Sequence, residues 1–257
     1  MAGPERSGRL EDKVIIVTGG ARGIGAAFSE RLCSEGAKVV IADVLDGTGT
    51  AHRISNSGKA NFMKADVTDA QSVQDLVDDT LNRHGKIDGL VNNAALFANL
   101  KTRPFWEIEE DEWDKVMAVN VRGPFLISKA IAPHMIKQKS GKIVNIASGT
   151  VFKGQVGITH YVSSKGAIVA FTRCLARELG EFGINVNAIA PGLTMSEGVV
   201  AAGFLTGRGA EATMNTRAFK REQVPSDLVG TMAFLCSPDS DFMTGQTLVC
   251  DGGSVMR

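Results

Sequence analysis

Short apolar runs alternate with segments of helical periodicity along almost the whole chain, and this alternation limits the choice of folds more than any other feature. Strand-like runs occupy 14–18, 38–43, 61–66, 87–91, 142–147, 184–190 and 246–250. Apolar residues at helical spacing occupy 26–34, 73–82, 111–135 and 160–182. Strands that alternate with helices favour βαβ crossovers. The pattern therefore predicts an α/β protein with a doubly wound, mostly parallel sheet of about seven strands and helices on both faces.

The chain has 257 residues and shows no internal repeat, low-complexity tract or proline-rich linker, so we expect one domain over 1–257. Residues 1–9 are polar and lack the apolar core of a secretory signal, which predicts a flexible leader. Residues 192–223 are rich in Gly, Ala and Thr and have no strand pattern. Long irregular segments in compact domains are commonly functional, so this segment predicts a mobile lid over a substrate site.

The charge balance argues against two classes of function. Lys plus Arg and Asp plus Glu each number 28, so the formal net charge is zero. Binding to nucleic acid or to an anionic membrane surface needs a basic excess, and no apolar run approaches the ~20 residues that span a bilayer. The four cysteines have neither zinc nor redox spacing, so we expect free thiols, no metal site and a cytoplasmic location.

A glycine-rich turn joins the first strand to the first helix. Residues 18–25 read Thr-Gly-Gly-Ala-Arg-Gly-Ile-Gly, with glycines spaced G-x-x-x-G-x-G. Glycines allow backbone N–H groups to approach a pyrophosphate, and the helix N-terminus adds partial positive charge. A strand, a glycine-rich turn and a helix in this order indicate a dinucleotide site in a Rossmann-type sheet.

The second strand ends at Asp43, 18 residues after Gly25. A carboxylate there accepts hydrogen bonds from an adenosine ribose diol and repels a 2′-phosphate, which favours NAD over NADP. Arg22 is the opposing signal, because a basic residue in the turn could face that phosphate. The alternative for Asp43 is a turn acid at a strand end.

A tyrosine and a lysine are spaced for general acid–base chemistry. Tyr161 is the only tyrosine, and Lys165 follows four residues later, on the same face of a helix. A nearby ammonium lowers the pKa of a phenol from about 10, which makes it a usable proton donor or acceptor. Ser148 follows the fifth strand, where a hydroxyl could hold a substrate oxygen. Taken singly, the serine is more typical of a turn or cap.

With these motifs in order, the chain resembles the short-chain dehydrogenase/reductase family from about Lys13 to Gly253. The matching elements are Thr18 to Gly25, Asp43, Asp66-Val67, Asn92-Asn93-Ala94-Ala95, Asn120, Ser148, Tyr161 with Lys165, Asn187, Pro191-Gly192 and Asp251-Gly252-Gly253. Within the family, the C-terminal segment and the lid most resemble bacterial NAD-dependent secondary-alcohol dehydrogenases of the 1-phenylethanol and pyridoxal dehydrogenase kind.

The resemblance implies four catalytic roles. Tyr161 is the general acid/base, Ser148 hydrogen-bonds the reacting oxygen, and Lys165 binds the nicotinamide ribose and lowers the pKa of Tyr161. Asn120 holds a helix kink and a water that links Lys165 to solvent. Hydride passes between the substrate carbon and the nicotinamide. Family members are commonly homotetramers, here through 111–135, 160–182 and the C-terminal strand.

The resemblance also implies a set of cofactor contacts. These are Gly19, Arg22, Gly23, Ile24, Gly25, Asp43, Val44, Asp66, Val67, Asn93, Ala94, Tyr161, Lys165, Pro191, Gly192, Thr194 and Ser196. Two positions depart from the family pattern. Ala95 stands where a glycine is usual, and Thr194 and Ser196 stand where an apolar residue and a threonine are usual.

Substrate contacts are predicted from their proximity to these motifs or to the lid. They are Leu96, Phe97, Ser148, Thr150, Phe152, Tyr161, Met195 and Phe204, with His160 as a polar candidate. They predict a modest apolar pocket for a small apolar or aromatic secondary alcohol and its ketone. Core packing is the alternative for each of these side chains, and a solvated helix position is the alternative for His160.

Two other functions remain open. An NADP-dependent 3-oxoacyl or other carbonyl reductase would want a basic residue in place of Asp43. A non-catalytic nucleotide-sensing scaffold would not need the four catalytic residues.

Overall fold

Seven parallel strands form one sheet in the order β3-β2-β1-β4-β5-β6-β7. The computed structural model describes residues 8–55, 59–203 and 208–256. The strands are β1 (Val14–Thr18), β2 (Lys38–Asp43), β3 (Ala60–Lys64), β4 (Gly89–Asn92), β5 (Gly141–Ile146), β6 (Ile184–Pro191) and β7 (Thr247–Cys250). The predicted fold class is confirmed. The predicted third strand, 61–66, extends too far, because Asp66 lies in the loop beyond β3.

Helices connect successive strands and cover the sheet. They are α1 (Gly23–Ser34), α2 (Thr48–Ile54), α3 (Ala70–His84), α4 (Glu110–Met117), α5 (Gly123–Gln138), α6 (Thr150–Lys153), α7 (Thr159–Leu179), α8 (Glu197–Ala201), α9 (Arg208–Asn215) and α10 (Val229–Cys236). Among the described residues, no helix is both long and apolar enough to cross a membrane.

Side chains of alternate strand residues enter two separate cores. Ile15 and Val17 of β1 pack in a cluster with Phe28 of α1 and Met232 of α10. Ile16, between them, joins a second cluster that contains residues of α3, α5 and α7. The period of two in β1 therefore fills a layer on each face of the sheet, which explains why its sequence is apolar without interruption.

The periodicity of segment 111–135 predicts one helix, but the structure contains three successive pieces there. The segment divides into α4, a π-helical turn at Ala118–Arg122 and α5. Asn120 lies in that turn with its side chain fully buried. π-turns inside helices occur frequently at functional sites, and this one places an amide where a regular helix would not.

The predicted lid, 192–223, is held together at its two ends. Thr194 and Gln223 form a β-bridge, and the buried guanidinium of Arg217 donates to the carbonyl of Leu193 at 2.6 Å. Between them, α8 and α9 supply short helical pieces. Mobility of this segment stays a prediction.

Candidate active site

A cleft of about 870 Å³ opens where the carboxyl ends of β1, β2, β4, β5 and β6 meet. The strand order reverses between β1 and β4, and crevices at such points are the usual ligand sites of open α/β sheets. Every residue predicted to contact the cofactor lines this cleft. Sequence positions as distant as Gly19 and Ser196 therefore face one cavity.

The glycine-rich turn tolerates no side chains at two of its positions. A Cβ on Gly25 would lie 2.1 Å from the carbonyl oxygen of Gly19, and Gly19 itself has a φ of +62°. Helix α1 then begins at Gly23 without a side-chain cap among the described residues, and Gly23 and Ile24 line the cleft. The uncapped N–H groups fit a pyrophosphate.

Thr18 and Asn93 hold the glycine turn against the end of β4. The amide of Asn93 donates to the carbonyls of Thr18 and Gly19 at 2.9 and 3.0 Å. The Thr18 hydroxyl accepts from the backbone N–H of Asn93 at 3.0 Å and of Ala94 at 3.1 Å. The predicted contacts Asn93 and Ala94 thus line the cleft and brace its floor.

Asp43 combines a structural role with access to the cleft. Its Oδ2 accepts from the backbone N–H of Ala21 and its Oδ1 from that of Leu45, each at 3.0 Å. The residue is 8% exposed and lines the cleft. Each carboxylate oxygen keeps a second lone pair, so the turn-acid interpretation and the ribose-diol interpretation are compatible. This carboxylate, the glycine turn and the uncapped helix together fit a dinucleotide.

Tyr161, Ser148 and Lys165 meet at the cleft. Tyr161 and Lys165 lie in α7, are 7% and 3% exposed, and line the cleft with Ser148. Tyr161 is hydrogen-bonded to Ser148. The Lys165 Nζ donates to the carbonyl of Ile146 at 2.8 Å and lies 5.8 Å from the centre of the tyrosine ring. The three groups can hold one substrate oxygen and exchange a proton with it.

Burial suppresses the charge of both titratable groups. It raises the pKa of Tyr161 to about 12, against a smaller lowering by the hydrogen bond to Ser148. It lowers the pKa of Lys165 to about 8. The expected lowering of the Tyr161 pKa is therefore wrong, because desolvation by burial dominates and raises the pKa.

Asn120 braces two walls of the site. Its Oδ1 accepts from the backbone N–H of Leu96 at 2.8 Å, and its Nδ2 donates to the Leu96 carbonyl at 3.2 Å and to the Ser164 hydroxyl at 3.1 Å. The Ser164 hydroxyl in turn donates to the carbonyl of Tyr161 at 2.7 Å. The side chain thus ties the loop after β4 to α7 beside the tyrosine.

His160 does not line the cleft. It is fully buried, and its Nε2 lies 2.9 Å from an oxygen of Glu112 in α4. The other oxygen of Glu112 accepts from Arg103 at 2.6 Å. Neither the substrate interpretation nor the solvated-surface interpretation of His160 holds, because the residue turns into the contact between α4 and α7.

The predicted substrate contacts fall into three groups. Leu96, Phe97 and Thr150 line the cleft, and the Phe97 ring lies 4.7 Å from that of Tyr161. Phe152 packs instead against the small core cluster that includes Ile168.

Met195 also lies outside the cleft lining, and its backbone N–H donates to the carbonyl of Gln223 at 2.8 Å. Phe204 lies outside the described residues.

Sequence reasoning missed part of the cleft lining. Lys153, Gln155, Val156, Leu193, Thr213 and Thr216 all contribute to it. Lys153 lies five residues after Ser148, at the end of α6. Its proximity to the catalytic serine in the sequence could therefore have predicted that it lines the cleft. Thr213 and Thr216 belong to the segment predicted as a lid, but no motif singles them out, since they reach the cleft from α9 and the turn after it.

The comparisons with known proteins agree with this architecture. A family model described as enoyl-(acyl carrier protein) reductase matches residues 19–255. Galactitol 2-dehydrogenase of Agrobacterium fabrum (strain C58) is 38% identical over 96% of this chain and 99% of its own length. A 3-oxoacyl-[acyl-carrier-protein] reductase of Synechocystis sp. (strain PCC 6803) is 35% identical over 96% of this chain and 98% of its own. The crystal structure of levodione reductase superimposes with a TM-score of 0.88 at 31% identity, over 95% of this chain and 97% of that one.

Fold, site and relatives define an NAD(P)-dependent oxidoreductase that acts on alcohols and ketones. The chain belongs to the short-chain dehydrogenase/reductase family.

Proposed function

We propose that the protein is an NAD-dependent dehydrogenase that interconverts a small secondary alcohol and its ketone. The observation that carries the proposal is the meeting of Tyr161, Ser148 and Lys165 in one cleft whose far part contains Asp43. The cofactor, when bound, accepts or supplies the hydride. The remaining chemistry belongs to side chains of this protein.

Tyr161 exchanges the proton. In alcohol oxidation it takes the hydroxyl proton, and in ketone reduction it returns it. Its raised pKa keeps the phenol protonated near neutrality, which suits the donor role in reduction. As a base it needs positive charge nearby, and the Lys165 ammonium supplies this from the same helix face. Ser148 holds the substrate oxygen in place by hydrogen bonding.

The preference for NAD rests on Asp43. Its buried carboxylate would lie against a 2′-phosphate, and that contact costs free energy unless a cation compensates. Arg22 is the available cation, but it is exposed at the mouth of the cleft. A partly buried negative charge outweighs an exposed positive one, since exposed charges are screened by solvent.

The side chains that line the cleft beside Tyr161 are largely apolar, which supports an apolar or aromatic alcohol as the substrate. Phe97 stacks at an angle on the tyrosine ring, and Leu96 and Val156 line the cleft. A small ring or aryl group would replace water on these surfaces.

Arg22 also favours a second candidate, an NADP-dependent 3-oxoacyl or other carbonyl reductase, because its side chain lines the cofactor cleft. The Synechocystis relative is named a 3-oxoacyl-[acyl-carrier-protein] reductase.

Two further expectations belong to the proposal. The free thiols of the described chain support a reducing, cytoplasmic setting, and the family resemblance supports a single-domain subunit in a homotetramer. No group of three or more potential metal ligands occurs in the described part of the chain, and the proposed chemistry uses none.

The test is a matrix of cofactors and substrates on the purified enzyme. Cyclohexanol and 1-phenylethanol are oxidised with NAD and with NADP, and a 3-oxoacyl thioester is reduced with NADH and with NADPH. We expect kcat/KM to be highest for an alcohol with NAD. A clear preference for NADPH and the thioester would make the second candidate correct. Absence of turnover in every combination would overturn both.

A further inference from the structure

One wall of the cleft is polar, although the sequence predicts an apolar pocket. We define the polar wall as Lys153, Gln155, Thr213 and Thr216, all of which line the cleft that contains Ser148 and Tyr161. They come from the end of α6 and from α9 with the turn that follows it. Two threonines, a glutamine and a lysine thus line the cleft on this side.

Lys153 is held in this wall by the C-terminal segment. Its Nζ donates to the hydroxyl of Ser254, and that hydroxyl is also hydrogen-bonded to Thr216. Ser254 is itself positioned because its backbone N–H donates to Asp251 at 3.0 Å. The ammonium has three donors, so the bond to Ser254 leaves donors for a ligand in the cleft.

The charges around Lys153 point to a neutral partner group. Asp251 and Arg217 act on the ammonium with opposite sign, and burial lowers the pKa of Lys153. The Asp251 carboxylate partly offsets the charge that the Lys153 ammonium could offer to an anion. Hydroxyl and amide groups, like the ammonium, can hydrogen-bond uncharged oxygens.

From this wall we infer that the substrate is a secondary alcohol that carries a second, uncharged oxygen group, a hydroxyl or a carbonyl, bound by Lys153. The inference rests on the proposed dehydrogenase function and adds a specificity-determining residue to it. The apolar surface of Phe97 receives the carbon framework beside the reacting carbon, and the ammonium of Lys153 selects the remote oxygen. The reaction at the first carbon is unchanged.

The experiment compares four cyclohexanols that differ only at the fourth ring carbon. Cyclohexanol, cyclohexane-1,4-diol, 4-hydroxycyclohexanone and 4-hydroxycyclohexanecarboxylate are assayed with NAD on the wild type and on Lys153→Met, Lys153→Arg and Lys137→Met. Lys137 is an exposed lysine outside the cleft lining and serves as the matched control.

We expect the wild type to oxidise the diol or the hydroxyketone with a kcat/KM about tenfold or more above that of cyclohexanol, as one charge-assisted hydrogen bond allows. Lys153→Met should remove this advantage, so that the ratio of kcat/KM for the diol or the hydroxyketone to kcat/KM for cyclohexanol falls to about one. Lys153→Arg should keep part of it, and Lys137→Met all of it. Melting temperature and NADH affinity of each variant show whether the fold is intact.

Four results overturn the inference. An equal loss for all four substrates in Lys153→Met would mean a structural role. A preference for the carboxylate that disappears in this variant would mean an anionic substrate. Turnover of cyclohexanol without any gain from a second oxygen would refute the inference and leave the proposed function standing. No turnover of any of them with either cofactor would refute both.

Discussion

The cofactor part and the substrate part of the cleft differ in how their side chains are brought together. In the cofactor part, the glycine turn after β1 and the acid at the end of β2 belong to short contiguous segments at two adjacent strands. In the substrate part, the polar wall joins α6, α9 and the C-terminal segment, and residues as distant in sequence as Lys153 and Ser254 are in contact. The comparison shows that residues at strand ends can be predicted from short segments of sequence, whereas residues on insertions between strands cannot.

The largest expected effect tests whether both parts serve one reaction. Tyr161→Phe removes the proton-transfer group and keeps the ring that packs on Phe97. We expect kcat for alcohol oxidation to fall by about a thousandfold, within the range attributed to general acid–base catalysis. NADH binding, measured by calorimetry, should stay within about threefold, because only the phenolic oxygen is lost and the glycine turn and Asp43 are unchanged. Activity within tenfold of the wild type would contradict the assigned role.

The second effect tests how rigid the cofactor part is. Gly25→Ala places a Cβ 2.1 Å from a backbone carbonyl and 2.6 Å from the amide of Asn93. We expect a loss of about 1–3 kcal/mol in the free energy of unfolding in urea, with weakened NADH binding.

Gly230→Ala is the matched control for this substitution. A Cβ at Gly230 in α10 meets nothing within 4 Å. Alanine there should raise stability by up to about 1 kcal/mol through helix propensity. Equal effects of the two substitutions would contradict the close packing of the turn.

The third effect concerns the buried Lys165. Its pKa is about 8 in the folded protein against 10.5 for an ordinary lysine. Between these two values the unfolded chain holds a proton that the folded chain has released, so stability rises with pH. Relative to Lys165→Met, the wild type should gain up to about 1.4 kcal/mol per pH unit in this window.

Urea unfolding of the two proteins at pH 7, 8, 9 and 9.5 measures this gain. The range ends below pH 10, where the raised pKa of Tyr161 begins to act with the opposite sign. A stability difference that does not change with pH would contradict a lowered lysine pKa.

The smallest expected effect distinguishes two phenylalanines that the sequence analysis predicts as substrate contacts. Phe97 lines the cleft beside Tyr161, whereas Phe152 packs on a core cluster. We expect Phe97→Leu to lower kcat/KM for cyclohexanol severalfold, since an aromatic contact contributes about 0.5–1.5 kcal/mol. Phe152→Leu should change it less than twofold and lower the melting temperature instead. The reverse outcome would place Phe152 at the substrate.

The sequence by itself determined the sheet, the glycine turn and the acid at the end of β2. Strand periodicity, the steric freedom of glycine and the position of an acid after an apolar run are properties of short segments, so they can be read without a structure. The order of the family motifs identified Ser148, Tyr161 and Lys165 for the same reason, since each lies at a fixed place relative to a strand or a helix.

Tertiary structure decided the rest. His160 and Phe152 lie near the motifs in sequence but turn toward α4 and toward a core cluster, because helix packing determines which face a residue presents. Burial, which no sequence pattern quantifies, reversed the expected direction of the Tyr161 pKa. Lys153 lies in the cleft wall and is hydrogen-bonded there to Ser254, about a hundred residues away in the sequence. Such long-range contacts exist only once the chain has folded.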